Sequence, residues 1–346
     1  MTTLRDAHAI KRASDQAITG PGSIASAGKS HAWRMATLFI VMTTLFPLVS
    51  AAADQPPTTE TQTTFASAEQ AVKTLVSAAK TKDMEALGKL FGPKGRDLLS
   101  SGNEAEDKNN LELFTSASLQ LTRIVKDRAE TSATLYIGKH GWPFPIPLMK
   151  ADGRWYFDTE LGREEVLNRR VGRNEISATR VCRALVKAQQ EYHAKDRDGD
   201  NILEYAQKLM SDAGQKDGLY WDASGDGEES PLGPIAAQAQ AMGYDPSKKA
   251  QGASESSQPF HGYLFRILTK QGSKAPGGGK DYLSQRNMVG GFAIVAYPAE
   301  WGNSGVMTFI VNQEGIVYEK NLGEDTTANV SKMKAYNPDA TWKSVE

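Results

Sequence analysis

Nineteen consecutive residues without a charge, Met35–Ala53 (MATLFIVMTTLFPLVSAAA), divide this chain into a targeting piece and a folding piece. Arg34 stands directly before the stretch, Ala51-Ala52-Ala53 closes it, and Asp54 opens a polar tail. A cation, an apolar core and small residues in that order form a secretory signal. The expectation is export to the periplasm or cell envelope. About 20 apolar residues also suffice to cross a bilayer, so retention as an anchor through residues 35–53 is the alternative. Pro47 and the alanines, where an anchor favours Leu or Ile, weigh toward cleavage. Membrane contact is expected only through this segment, if it is uncleaved.

Composition bounds the rest. Removing residues 1–53 takes five basic and two acidic residues from totals of 40 and 41, leaving 35 and 39, a net of −4. No electrostatic footprint for nucleic acid or anionic lipid is left. The single cysteine, Cys182, rules out an intramolecular disulfide, so packed cores must hold the fold even in an oxidising compartment. The length beyond residue 53 exceeds ordinary single-domain size. Two α+β domains are expected, 65–170 and 171–346, after a signal at 1–53 and a Pro/Thr-rich polar tether at 54–64.

In the first domain, Ala68, Val72, Leu75, Val76 and Ala79 recur at helical spacing. Asp83 caps a second helix that Gly92-Pro93 stops. Strands follow: one beginning near Leu119 and Leu121, an alternating run Glu130–Ile137, then Ile146–Ala151 and Arg154–Thr159 around Asp152-Gly153, a two-residue hairpin signal. In the second domain, Asn174 is expected to cap a long helix carrying Ala178, Val181, Leu185, Ala188 and Tyr192 on one face. A short helix is expected near Ile202–Ser211, another between Ser230 and Gly243, and a surface loop over Asp245–Pro259. Strands Gly262–Thr269, Phe292–Tyr297, Val306–Asn312 and Ile316–Lys320 end the chain, the last two joined at Gln313-Glu314-Gly315.

Helices first and a closing PLMKADGRWYFD hairpin make the first domain resemble NTF2-like (cystatin-like) folds. That likeness implies a pocket between sheet and helix, with Trp142, Trp155 and Tyr156 as candidate lining residues; ordinary sheet aromatics are the competing reading. A long helix before an antiparallel meander resembles the globular heads of type IV pilins, without the apolar stem that fibre formation needs. As a whole, the exported part resembles a bacterial secreted family, domain-of-unknown-function family 2950. The likeness rests on GLYW (Gly218–Trp221), SPLGP (Ser230–Pro234), GYLFRIL (Gly262–Leu268), the block Gly291–Gly323 and the ending NPDATW (Asn337–Trp342). It implies export and no established activity.

Among chemistry-bearing patterns, Asp196, Asp198 and Asp200 match the first three ligand positions of an EF-hand Ca²⁺ loop. Asn201 stands where Gly belongs and Gln207 where the bidentate Glu belongs. Asp222, Ser224 and Asp226 form a second fragment with Gly233 at its twelfth position. A solvated Asp/Gly turn is the weightier reading of both. Cys182 falls by the buried stripe, as a small hydrophobe rather than a nucleophile. His140, His193 and His261 have no metal spacing. The glycines at 277–279 fail as a phosphate loop because Lys274 and Asp281 occupy key positions. Ser304 sits in a turn between strands, not in a nucleophile elbow. Tyr297 and Trp301 are candidates for a binding rim at a sheet edge.

The sequence therefore points to a non-enzymatic binding or assembly module with an envelope protein or a glycan as partner. A periplasmic hydrolase or isomerase using a first-domain pocket, and a Ca²⁺-stabilised structural module, are the alternatives.

Overall fold

Asp152 and Gly153 both take positive φ, 50° and 75°, the backbone a tight two-residue hairpin demands of its central pair. This hairpin closes the first of the two five-stranded sheets seen among the described residues. The structure, a computed structural model, describes residues 62–223, 227–244 and 258–345. The expected signal, most of the tether and the core of the 245–259 loop lie outside the described residues. The last tether residues are tied down: Gln62 Nε2 donates to the carbonyls of Leu90 (2.9 Å) and Phe157 (2.6 Å).

Helix α1 (Ala68–Thr81) starts at Ser67, whose hydroxyl accepts the Gln70 amide, and α2 (Met84–Phe91) starts at Asp83. Helix α3 (Glu104–Gln120) was not foreseen, and it moves the start of the strand expected near Leu119 and Leu121 to Thr122. Its Asn103 cap and acidic first turn are good start signals. Its apolar residues line no single stripe, so periodicity is silent about it. Strands β1 (Thr122–Lys126), β2 (Ser132–Ile137), β3 (Trp142–Pro143), β4 (Leu148–Ala151) and β5 (Arg154–Phe157) form one antiparallel sheet in the order β1-β2-β4-β5, with β3 on β2. Leu75, Leu90, Leu135, Ile137, Leu148 and Phe157 fill the core between this sheet and α1 and α2.

Helix α4 (Thr159–His193) spans 35 residues, and its N-cap is Asp158, not Asn174. The expected boundary at 170/171 falls inside it. Asn174 is buried mid-helix, where its amide donates to the Ser304 carbonyl at 2.9 Å. A polar residue at the edge of an apolar stripe suggests a cap, but here tertiary contact fixes it. Ala178, Cys182, Leu185, Ala188 and Tyr192 lie on the buried face as expected. Around them, Arg170 Nη2 donates to the Leu98 carbonyl at 2.9 Å and Nη1 to Asn303 Oδ1. Glu175 accepts the amides of Val306 and Met307, each at 3.0 Å.

No helix forms at Ile202–Ser211, contrary to expectation. Residues 201–207 are irregular, and β6 (Lys208–Met210) pairs in parallel with β7 (Gly218–Tyr220). Gln189 explains the irregular course: it is buried and exchanges two bonds with the Ala206 backbone, which a helix would need for itself. Helix α5 (Gly233–Ala241) and strand β8 (Tyr263–Leu268) follow, then the short pairs β9 (Lys270–Gln271) with β10 (Lys280–Asp281) and β11 (Leu283–Ser284) with β12 (Asn287–Met288). Strands β13 (Ala293–Pro298), β14 (Met307–Asn312) and β15 (Tyr318–Asn321), helix α6 (Thr326–Lys332) and strand β16 (Lys343–Ser344) end the chain. The second sheet runs β16-β15-β14-β13-β8, all antiparallel. Ala293 to Ala296 are all buried, the pattern of a strand covered on both faces; α4 and α6 both pack against β13. The fold is α+β.

Candidate functional site

An apolar cleft opens where α4, α5 and β8 meet. Val181 and Leu185 of α4, Leu232 and Ala236 at α5, and Phe260 and Phe265 before and on β8 line it, around a free volume of about 100 Å³. Three of the segments that carry the family likeness converge here: Tyr220 from GLYW, Leu232 from SPLGP, and Tyr263 and Phe265 from GYLFRIL. Local chemistry sets the walls. The Leu232 amide donates to the Leu219 carbonyl at 3.0 Å, joining α5 to β7, and Pro234 occupies the first turn of α5, where a missing amide costs nothing. The Tyr263 hydroxyl is spent on the Met307 carbonyl at 2.8 Å.

Tyr244 is different. It lines the cleft, it is 5% exposed, and its hydroxyl is buried with no well-aligned hydrogen-bond partner, the His261 backbone lying beside it. Glu106 of α3 is 8% exposed, and its Oε2 is buried without a partner too. Burial pushes the Tyr244 hydroxyl up to about 12, and the Glu106 carboxylate pushes in the same direction. Burial likewise raises the Glu106 carboxyl, against the pull of Arg173 and Arg170. Two side-chain bonds bring α3 alongside the chain around Tyr244. Asn103, Glu106 and Asn109 share one face of α3; Asn103 donates to the Pro259 carbonyl (2.9 Å) and Asn109 to the Met242 carbonyl (2.6 Å). Glu106 is thus held between the two chain segments that flank Tyr244.

The acidic loop after α4 has the geometry of a cation loop in part. Carboxylate oxygens of Asp196, Asp198 and Asp200 all lie within 4.8 Å of one another. Asn201 has φ 64°, the left-handed backbone that Gly supplies at the sixth position of an EF-hand and that Asn adopts with least strain after Gly. The loop is fastened to the β11–β12 hairpin: Asn287 donates to Asp200 at 2.7 Å and Glu204 accepts the Met288 amide at 3.1 Å. Burial raises the Glu204 carboxyl, and Asp198 and Asp200 add to that. Asp196 accepts the amides of Gly199 and Asn201, which hold its carboxyl below the usual range. Three hard oxygen donors fit Ca²⁺, and Asp/Gly turns make the same amide bonds. Gln207 donates to the Arg286 carbonyl. Asp222 is exposed, while Ser224 and Asp226 lie outside the described residues.

The expected aromatic sites are scattered. Trp155 is a core residue, 3% exposed, with Phe65 bonded across it backbone to backbone. Trp142 is 43% exposed on β3, with the Arg169 guanidinium 4.8 Å from its ring centroid. Tyr156 is half-buried on β5, opposite Met149. Tyr297, half-buried, packs on the second core, and Trp301 donates its indole N–H to Asn321 at 3.0 Å. Burial pushes the Cys182 thiol up to about 12, which leaves no thiolate. His193 stacks on Tyr205 at 4.2 Å, whereas His261 lies tilted against Phe260 at 4.3 Å; His140 is exposed. Sequence reasoning missed Tyr244 and Glu106. Tyr244 follows the Ser230–Pro234 segment by ten residues, whereas nothing local in the sequence marks Glu106.

Among the described residues, no helix is long and apolar enough to cross a membrane. No curated protein and no solved structure matches the chain. The model of one family, described as protein of unknown function (DUF2950), matches residues 62–345, and the chain belongs to that family.

Proposed function

We propose that this chain is an exported envelope protein that works as a non-enzymatic binding or assembly module, with the apolar cleft as its binding site. The observation that carries the reading is the convergence of three family segments on one cleft with apolar walls. Concave, mostly apolar sites with a few polar groups are the usual form of a ligand site. Of the two partner classes, an envelope protein suits this lining better than a glycan. An apolar side chain gains by leaving water, whereas glycan hydroxyls buried against Leu and Phe would lose hydrogen bonds. The NTF2-like and pilin-head likenesses of the two halves belong to the same proposal, as architectures that serve binding.

Thermal unfolding of the full chain tests it. A ligand that binds only the folded state raises the midpoint by mass action. Apolar small molecules should raise it, and Ala236→Phe, which fills the cleft, should remove the rise. Glycans and peptidoglycan fragments should leave it unchanged.

A second reading is favoured by the left-handed Asn201 together with the three converging aspartates: Ca²⁺ stabilises the loop at 196–204. Like charges brought so close repel one another, and a divalent cation relieves that.

A further inference from the structure

Strand β1 stands at the edge of the first sheet, and among the described residues it pairs with β2 alone. The ladder fixes which way its backbone faces. Gly138 donates to the Leu121 carbonyl at 2.9 Å, and Asp127 donates to the Ser132 carbonyl at 3.0 Å. Such bonds fall on alternate residues of an antiparallel pair, so Leu121, Arg123, Val125 and Asp127 turn their amides and carbonyls toward β2. Thr122, Ile124 and Lys126 turn theirs outward, and none of these groups bonds a described residue. A row of unmet donors and acceptors on an extended strand is a template for another strand. Charged side chains, lysine above all, usually guard such an edge. Here the cations are held on their own chain: Lys126 bonds Glu69 at 2.9 Å, and the Arg123 guanidinium lies 4.6 Å from the Tyr136 ring centroid. Leu121 and Val125, on the same side of the strand as Arg123, are 47% and 40% exposed.

We infer that β1 pairs antiparallel with β1 of a second copy, about a two-fold axis at Ile124, and so joins two five-stranded sheets into one. The occupant is a second copy because the edge is self-complementary. In the centred register Thr122 of one copy lies opposite Lys126 of the other, Arg123 opposite Val125, and Ile124 opposite Ile124. All three outward residues then find bonded partners, and no like charges stand face to face. A two-residue shift in either direction loses one of the three bonded pairs, and one of the two shifts sets Arg123 against Arg123. The edge shares no residue with the cleft, so the pairing stands whether or not the cleft takes a ligand.

Sedimentation velocity of the full chain at rising concentration, with amide hydrogen exchange at each step, is the test. The sedimentation coefficient should climb from monomer to dimer, and the amides of Thr122, Ile124 and Lys126 should gain protection as it does. Those of Arg123 and Val125, bonded to β2, should be protected throughout. Val125→Lys sets like charges opposite Arg123 twice in each dimer and should weaken association about tenfold, whereas Val125→Glu sets opposite charges there and should tighten it. Circular dichroism checks that both variants fold. A chain that stays monomeric at millimolar concentration overturns the inference, and a dimer indifferent to both variants does the same by placing the contact elsewhere. A dimer weakened equally by both would set Val125 against Val125 and overturn the register. Protection of the three outward amides at every concentration would show a segment of the same chain on the edge, which also overturns the pairing.

Discussion

Asn174 and Ser304 are joined by a hydrogen bond of 2.9 Å from the asparagine amide to the serine carbonyl, 130 residues apart in the chain. This bond clasps the middle of α4 to the turn before β14, and Gly262 closes over it. Gly262 has φ +73°, and a Cβ there would lie 2.5 Å from Asn174 Nδ2 and 3.0 Å from Ser304 Cβ.

Gly262→Ala should therefore destabilise the fold by about 2–4 kcal/mol, adding left-handed backbone cost to overpacking. Urea unfolding measures it. Gly323→Ala is the control, with φ +77° and nothing within 4 Å of its Cβ, and should lose only the backbone part, about 1–2 kcal/mol.

Glu228 gathers Lys216 at 2.6 Å, Lys195 at 3.0 Å and Arg197 at 2.5 Å. Lys216 first, then Lys195, hold its carboxyl down to about 2 from 4.5. A depressed folded value means the carboxylate stabilises the fold fully above about pH 4.5. That contribution fades as pH falls toward about 2. Glu228→Gln should cost about 1 kcal/mol at pH 7, screened as partly exposed pairs are. The gap between variant and parent should shrink through that acid window in pH-dependent urea unfolding.

Millimolar Ca²⁺ should raise the thermal midpoint of the full chain and EDTA should reverse it, if the loop at 196–204 takes the cation. Asp198→Ala should abolish the rise. Asn201→Gly keeps the left-handed turn and should preserve it, whereas Asn201→Val should not, because a β-branched residue resists positive φ. A midpoint indifferent to Ca²⁺ removes the cation reading.

Trp155 and Trp142 should behave oppositely. Trp155→Ala opens the first core and should cost about 3–5 kcal/mol. Trp142→Ala, at a surface ring under Arg169, should cost less than about 1 kcal/mol. Denaturant midpoints of the two variants decide it.

Local chemistry made much of this fold legible. Ser67 and Asp83 cap their helices, Asp152-Gly153 turns its hairpin, and the Ala178–Tyr192 stripe lies on the sheet. What failed to show were positions fixed by distant partners. Asn174 reads as a cap because its bond to Ser304 is invisible locally, and Asp158, the real cap, sits where a strand ends. Helix α3 escaped notice because it offers no apolar stripe, leaving Leu113 and Leu119 exposed. The cleft was illegible for the same reason: Val181, Leu232 and Phe265 meet only after α4, α5 and β8 are brought together. The acidic loop lies between these cases, its aspartates plain in the sequence and its left-handed Asn201 not.

The measurement that bears most directly on the account is methyl NMR of the full chain, labelled at Ile, Leu and Val, during titration with p-cresol. The account expects saturable shifts at Val181, Leu185, Leu232 and Ile235, with Leu75, Leu135 and Leu148 of the other core unmoved. Unchanged cleft methyls at millimolar ligand, or shifts confined to the other core, would contradict it.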